Sequence, residues 1–356
     1  MQKHLFIPGP IDVREAVLER MATPMIGHRS KEATALQSRI AEKLQTLMET
    51  KHVIILSTSS GSGLMESAIR STTRKKAAVF SVGAFGDRWY DMARANNVPA
   101  DLFQSERGEP TTPEMVDEVL ATGEYDVVTV THNETSTGIV NPLGAISGVV
   151  KKYPDVLFLV DAVSSMGGDR VPVDEWGIDI CISSTQKCIG LPPGMSFASV
   201  SQRAYEAAQQ VEFRGFYFDL VKIYKMAQEK AQYPSTPSLS HMFALDYQLE
   251  QMLHVEGLEQ RYARHARLAN RVQSWAQQHF GLFAKEGYRS NTVTCIENTK
   301  GVDVSQLNEK LAPLGFVISG GYGKYKTDTF RISHMGDTQD MLLEELLSSI
   351  DSILGF

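Results

Sequence analysis

The sequence predicts an α/β fold: a mainly parallel central sheet flanked by helices, with a smaller α+β unit after it. Two observations carry this. Six short runs, 53–56, 77–82, 126–131, 156–160, 178–183 and 197–200, are apolar nearly throughout, as strands covered on both faces must be. Amphipathic stretches at 63–70, 86–96, 113–121 and 145–152 lie between them, and that alternation is the signature of a parallel sheet with helical crossovers. After about Pro237 the pattern changes. A long helical region is expected at 240–278, then a strand at 292–296, a helix at 304–314, a strand at 330–334 and a closing helix at 341–354. The expected division is an N-terminal arm over 1–21, a large unit over 22–255 and a small unit over 256–356.

Composition narrows the function classes. Of 356 residues, 42% are apolar and 22% charged, and the formal net charge is −7. That balance suits a globular chain and argues against a general binder of nucleic acid or anionic membranes. An anionic ligand must therefore be held by local donors. The three cysteines, Cys181, Cys188 and Cys295, are odd in number and form no C-x-x-C pair. They suggest neither a disulfide framework nor a metal knuckle, and they point to a reducing compartment. The apolar patch Leu5-Phe6-Ile7 is cut short by Pro8-Gly9-Pro10, too soon for a secretory h-region. No metal site is expected, and the expected location is the cytoplasm.

In open parallel sheets, ligands gather beyond the carboxyl ends of the strands, and three candidates sit there. Ser60-Gly61-Ser62-Gly63-Leu64 follows a strand and opens a helix, where free N–H groups and the helix dipole favour a phosphate. Its spacing is neither a P-loop nor a dinucleotide fingerprint, and a plain Gly/Ser turn is the bland alternative. Asp161 ends the run Leu157-Phe158-Leu159-Val160. A carboxylate there is costly to bury unless it meets a cation, although an N-cap or loop role would also account for it. Lys187, in Ser184-Thr185-Gln186-Lys187, also follows an apolar strand. A solvated surface charge is the ordinary reading of a lysine, but this setting can desolvate the ammonium and activate the amine. A phosphate cradle, an acid and an amine, in that order and each at a strand end of one sheet, are far less expected by chance together than singly. An acid that faces a protonated ring nitrogen is what a pyridoxal 5′-phosphate (PLP) site uses.

With these residues in view, the sequence resembles the class V aminotransferases of the fold-type I PLP enzymes. It is most like the alanine–glyoxylate and serine–pyruvate (serine–glyoxylate) branch. The likeness runs from Pro8-Gly9-Pro10 to Arg331, and is strongest at 60–64, at Thr131-His132-Asn133-Glu134-Thr135-Ser136-Thr137-Gly138, at Val160-Asp161 and at 184–187 with Pro192-Pro193-Gly194. The resemblance implies that Lys187 forms the Schiff base and moves the proton, and that Asp161 pairs with the pyridine nitrogen. It further implies that Ser62, Gly63, Leu64 and Gln186 bind the phosphate, that Phe85 stacks on the ring and that Thr135 reaches the ring hydroxyl. Phe85 stands where some relatives carry tryptophan. Tyr233 and Thr236 are implied to contact the phosphate of a neighbouring subunit, which makes the enzyme a homodimer with shared sites. Arg331 is implied to hold the substrate carboxylate, and Gly9 to line the substrate cavity. His28 and Arg29 either approach the site or anchor the arm.

The activity this implies is transfer of the amino group of alanine or serine to a 2-oxo acid such as glyoxylate or pyruvate. Three rivals remain at this stage. A cysteine desulfurase needs a cysteine in the stretch 315–329, which has none. A phosphoserine aminotransferase needs extra cations, for which Arg29, Arg214 and Lys324 are candidates. A nucleotide-binding or structural α/β protein would leave Lys187 incidental.

Overall fold

Runs of β-branched and apolar residues become strands where both faces can be covered, and the chain provides that cover. The computed structural model describes residues 3–356. In chain order its strands are β1 (His4–Phe6), β2 (Val53–Ser57), β3 (Ala77–Ser81), β4 (Ala100–Gln104), β5 (Val127–Thr131), β6 (Asn133–Glu134), β7 (Ile139–Val140), β8 (Leu157–Asp161), β9 (Ile180–Ser184), β10 (Ser196–Val200), β11 (Gly281–Leu282), β12 (Val293–Glu297), β13 (Phe316–Gly320) and β14 (Thr329–Ser333). Seven form the central sheet, in the order β2-β10-β9-β8-β5-β3-β4. Neighbours from β9 to β4 pair in parallel. β10 is antiparallel to both β9 and β2, so the sheet is mixed. The connection over 185–195 contains no crossover helix of the kind a parallel partner requires, so the chain turns back on itself.

Successive residues of the strands point to opposite faces. Ile54, Leu56, Phe80, Val128, Val130, Phe158 and Val160 pack on one side, against the helices Lys31–Leu47 and Leu239–Glu250. Ile55, Val79, Val127, Leu157, Leu159 and Ile182 pack on the other, against Gly61–Thr72, Ala84–Ala95 and Gln202–Gln209. This two-sided cover explains why the strands read as unbroken apolar runs.

The smaller sheet has the order β1-β13-β14-β12-β11. It packs on the helices Leu258–His279 and Asp340–Leu354 through Leu268, Val272, Trp275, Phe316, Phe330, Leu346 and Ile350. β1 joins it in parallel with β13, so the arm belongs structurally to the far end of the chain. The long helical region is not continuous. Leu239–Glu250 runs into a π-helical turn, Gln251–Glu256, and Leu258–His279 begins after Gly257, whose φ is +82°. A left-handed glycine cannot continue a helix. We propose this break, beside residue 255, as the division between the two units.

Candidate active site

The carboxyl ends of β2, β5, β8 and β9 converge on one cavity of about 140 Å³, lined by Ser62, Phe85, Arg88, Thr135, Asp161, Gln186 and Lys187 among others. Six residues that were expected to act together thus share one cavity. Three larger surface cavities lie elsewhere, one at the arm, one at the amino ends of the strands and one beside Arg261 and Arg264. None of them is lined by Lys187 or Asp161.

Lys187 sits in the tight turn Thr185–Ile189 that follows β9, with a non-helical backbone at φ −112° and ψ −136°. This turn aims the side chain back across the strand ends. Burial, aided by the nearby Arg331 charge, pushes its amine down to about 8. Its Nζ donates to the Pro8 carbonyl. Gly9 lies flat against the lysine chain. A Cβ there would come within 2.8 Å of Cδ and 2.9 Å of Cε and Nζ, and φ is +93°. Gly9 is therefore a close-approach residue on Lys187 and is not among those lining the cavity.

Asp161 closes β8. It is buried, and burial lifts its carboxyl to about 6. It accepts a hydrogen bond from the Val163 N–H at 2.8 Å and forms no ion pair among the described residues. A buried acid held this way lacks a cationic partner.

The phosphate turn opens the helix Gly61–Thr72, and the Ser60 side chain makes no capping bond there. The first-turn N–H groups thus have no side-chain cap within the turn. Ser62 lines the cavity, with its Oγ 3.2 Å from Arg88 Nη1. The Leu64 side chain is buried in the core, so only its backbone can face a ligand. A Cβ on Gly63 would meet the Phe218 ring at 2.7 Å. Gln186 is held by Ser184 Oγ at 2.5 Å.

Phe85 and Arg88 lie one turn apart on the helix Ala84–Ala95, with the Arg88 guanidinium 4.6 Å from the Phe85 ring centroid. Tyr322 stacks on Phe85 at 5.7 Å between centroids. Glu134 fixes the start of this helix. It accepts from Phe85 and Gly86 N–H at 3.0 and 2.9 Å, and from Ser136 Oγ at 2.6 Å. Burial raises its carboxyl above the usual range, and the helix N-terminus favours its charge.

Arg331, on β14, is buried beside the cavity. Nε donates to Gly320 O at 3.1 Å, Nη1 to Thr135 O at 3.1 Å and Nη2 to Ser319 Oγ at 2.9 Å. All three acceptors are neutral, and no carboxylate pairs with it among the described residues. Five N–H groups less three used leave one on each terminal nitrogen. The Tyr322 ring covers the guanidinium at 5.4 Å. Thr135 Oγ1 lies 2.5 Å from Ser164 Oγ, while its carbonyl orients Arg331.

Other candidates fall outside the cavity. Tyr233 is buried, with its hydroxyl 3.4 Å from Ser57 Oγ, and Thr236 is exposed. Arg29 donates to Tyr233 O at 2.7 Å and Pro234 O at 2.8 Å, so it ties the segment just after the arm to residues 233–234. Arg88, Glu134 and Ser164 were not singled out from sequence. Glu134 lay within a recognised motif, but its partners Phe85 and Gly86 are remote in sequence. Arg88 follows Phe85 at helical spacing, and that spacing was the available signal.

The comparisons agree with this geometry. A family model described as Aminotransferase class-V matches residues 15–323. An uncharacterized aminotransferase of Methanocaldococcus jannaschii is 40% identical, over 94% of this chain and 88% of its own length. A serine–glyoxylate aminotransferase of Methylorubrum extorquens is 32% identical over 96% of this chain and 88% of its own. The crystal structure of an alanine–glyoxylate aminotransferase from Nostoc sp. has a TM-score of 0.94 at 26% identity, covering 99% of this chain and 96% of that one. Class V aminotransferases are PLP enzymes, and the residues here fit the group: a buried amine of lowered basicity, a buried acid without a cation and an uncapped helix N-terminus around one cavity. The chain belongs to the class V aminotransferases, as a PLP-dependent transaminase of the alanine/serine–glyoxylate branch.

Proposed function

We propose that the enzyme transfers the amino group of alanine or serine to a 2-oxo acid such as glyoxylate or pyruvate. The observation that carries this reading is Arg331, a buried guanidinium without an acid partner that keeps one free N–H on each terminal nitrogen. Such a fork suits a substrate carboxylate, bound end-on by two parallel hydrogen bonds. The relatives named serine–glyoxylate and alanine–glyoxylate aminotransferase support the choice of substrates.

Lys187, Asp161, Ser62, Gly63, the Leu64 backbone, Gln186, Phe85 and Thr135 would hold the cofactor. When bound, its protonated pyridine ring supplies an electron sink for charge developing at the substrate α-carbon. Asp161 is ionised above about pH 6, and its role is to keep the proton on the ring nitrogen. Lys187 Nζ, neutral above about pH 8, takes the proton from the substrate α-carbon and returns it. Pro8 O and the flat Gly9 surface hold that amine in place. Arg331 fixes the substrate carboxylate and so sets which bond at the α-carbon faces Nζ.

The rivals lose support. Two of the cations named for phosphoserine are engaged elsewhere: Arg214 pairs with Asp219 at 3.0 Å, and Arg29 donates to the Tyr233 and Pro234 carbonyls. The three cysteines are buried, and burial raises their thiols, that of Cys188 to about 11 and that of Cys295 to about 12. The stretch 315–329 contains β13 and no cysteine. We further infer a homodimer, because Tyr233 and Thr236 do not reach the cavity of their own chain. We infer a cytoplasmic location from three free cysteines. No helix among the described residues is long and apolar enough to cross a membrane.

Half-reactions with alanine, serine, phosphoserine, glutamate and aspartate, followed by cofactor absorbance, test the reading. Alanine or serine is expected to convert the cofactor to its amino form, and glyoxylate or pyruvate to restore it. Faster conversion by phosphoserine, or sulfide release from L-cysteine at a matching rate, would overturn it.

A further inference from the structure

The cofactor phosphate brings up to two negative charges into a protein of net charge −7. The turn assigned to it offers only neutral donors: the helix N-terminus, Ser62 and Gln186. Besides Lys187, one cation lines the cavity, and it is Arg88.

Arg88 is placed with some care. It stands one turn into the helix Ala84–Ala95, whose start Glu134 fixes through two N–H groups. Its guanidinium lies over the Phe85 ring at 4.6 Å, its Nη1 is 3.2 Å from Ser62 Oγ and its Nη2 is 3.5 Å from the Tyr322 hydroxyl. All these neighbours are neutral. Its sequence neighbour Asp87 is turned away, accepting from Ser81 Oγ at 2.7 Å and Gln104 Nε2 at 2.9 Å. No ion pair to Arg88 forms among the described residues, whereas many arginines of this chain pair with acids, Arg261 and Arg170 among them. An arginine beside a phosphate turn, with neutral contacts and spare N–H groups, is suited to bidentate phosphate binding.

We propose that Arg88 is a phosphate-binding residue of the cofactor site and supplies the positive charge that the turn at 60–64 lacks. This rests on the PLP assignment but not on the choice of amino acid. Ser62 then acts in two ways: it donates to the phosphate and holds Arg88 against the turn. The helix Ala84–Ala95 becomes a two-point grip, with Phe85 for the ring and Arg88 for the phosphate.

The test compares two aldehydes, PLP and pyridoxal, which lacks the phosphate. Each is titrated by absorbance into cofactor-stripped wild type, Arg88→Gln and Arg88→Lys. The expected result is that Arg88→Gln weakens PLP at least tenfold and leaves pyridoxal within twofold, and that Arg88→Lys recovers part of the PLP loss. Equal weakening of both aldehydes would mean that Arg88 only supports the fold near Phe85. Unchanged PLP binding with a raised KM for the amino acid would mean that it serves the substrate. Either result overturns the proposal. Failure of transamination with every amino acid, while PLP still binds in an Arg88-dependent way, would instead overturn the proposed function and leave this inference standing.

Discussion

Burial works on the two reacting groups in opposite senses: it opposes the carboxylate that the role of Asp161 calls for and favours the neutral amine that the role of Lys187 calls for. A carboxyl raised to about 6 on folding takes up a proton between its ordinary value near 4 and that point. The stability that this group contributes is therefore fully present below pH 4 and is lost as pH rises through 6. In cofactor-free protein at pH 7.5, Asp161→Asn is expected to raise unfolding stability by roughly 1–3 kcal/mol, while abolishing transamination. The gain should vanish near pH 4, and denaturant titration at the two pH values checks this. A gain independent of pH would exclude the ionisation argument. Gly9→Ala would place a Cβ within 3 Å of the lysine chain at φ +93°. A stability loss of about 1–2 kcal/mol is expected, with a larger fall in the rate of the alanine half-reaction, readable by stopped-flow absorbance. Lys187 and Asp161 were legible in the sequence because they follow apolar runs. Arg88 was not, because a solvated helix face and a cavity-facing one carry the same residue types.

The elements show where local pattern suffices and where it does not. The fully buried strands β3, β5, β8, β9 and β10 were readable because both faces are covered. β4 was not: as an edge strand it is half exposed and carries Asp101. The helix Lys31–Leu47 also escaped notice, although Ser30 caps it by accepting from the Ala33 N–H at 3.2 Å. Around the Gly257 break, a buried ionic group ties two elements to the catalytic turn. Arg261 donates to the Cys188 carbonyl at 2.6 Å and to the Gly167 carbonyl at 2.9 Å, and pairs with Glu256 and Asp337 at 2.7 Å each. Arg261→Met would leave Glu256 to Arg264 and Asp337 to Arg14, each at 2.7 Å, and would strip the Gly167 and Cys188 carbonyls of their donor. It is expected to cost about 1–3 kcal/mol, seen as a fall in the thermal midpoint. Glu134→Ala removes the anchor of the helix bearing Phe85 and is expected to cost about 1–3 kcal/mol. A change below 0.5 kcal/mol would deny it that part.

For the whole molecule, the proposed dimer with shared sites makes a distinct prediction. Lys187→Ala and Thr236→Ala chains, each impaired alone, are expected to regain activity when unfolded and refolded together. A mixed dimer would hold one site with both residues intact. No recovery would place Thr236 outside the partner's site. Light scattering on the wild type should give twice the mass of the 39.4 kDa chain. The general architecture was legible because hydrophobic periodicity reports layers. Which distant segments meet was not, and the pairing of β1 with β13 is the clearest case.

That pairing bears on the order of events during synthesis. Residues 4–6 leave the ribosome long before their strand partner at 316–318. Pro8 and Gly9, which press on Lys187, hang from that strand. The amine pocket therefore stays open on a nascent chain, and contacts of such long sequence separation form late. A chain released before residue 316 would carry all seven strands of the central sheet but lack the partner on which β1, and with it Pro8 and Gly9, is hung.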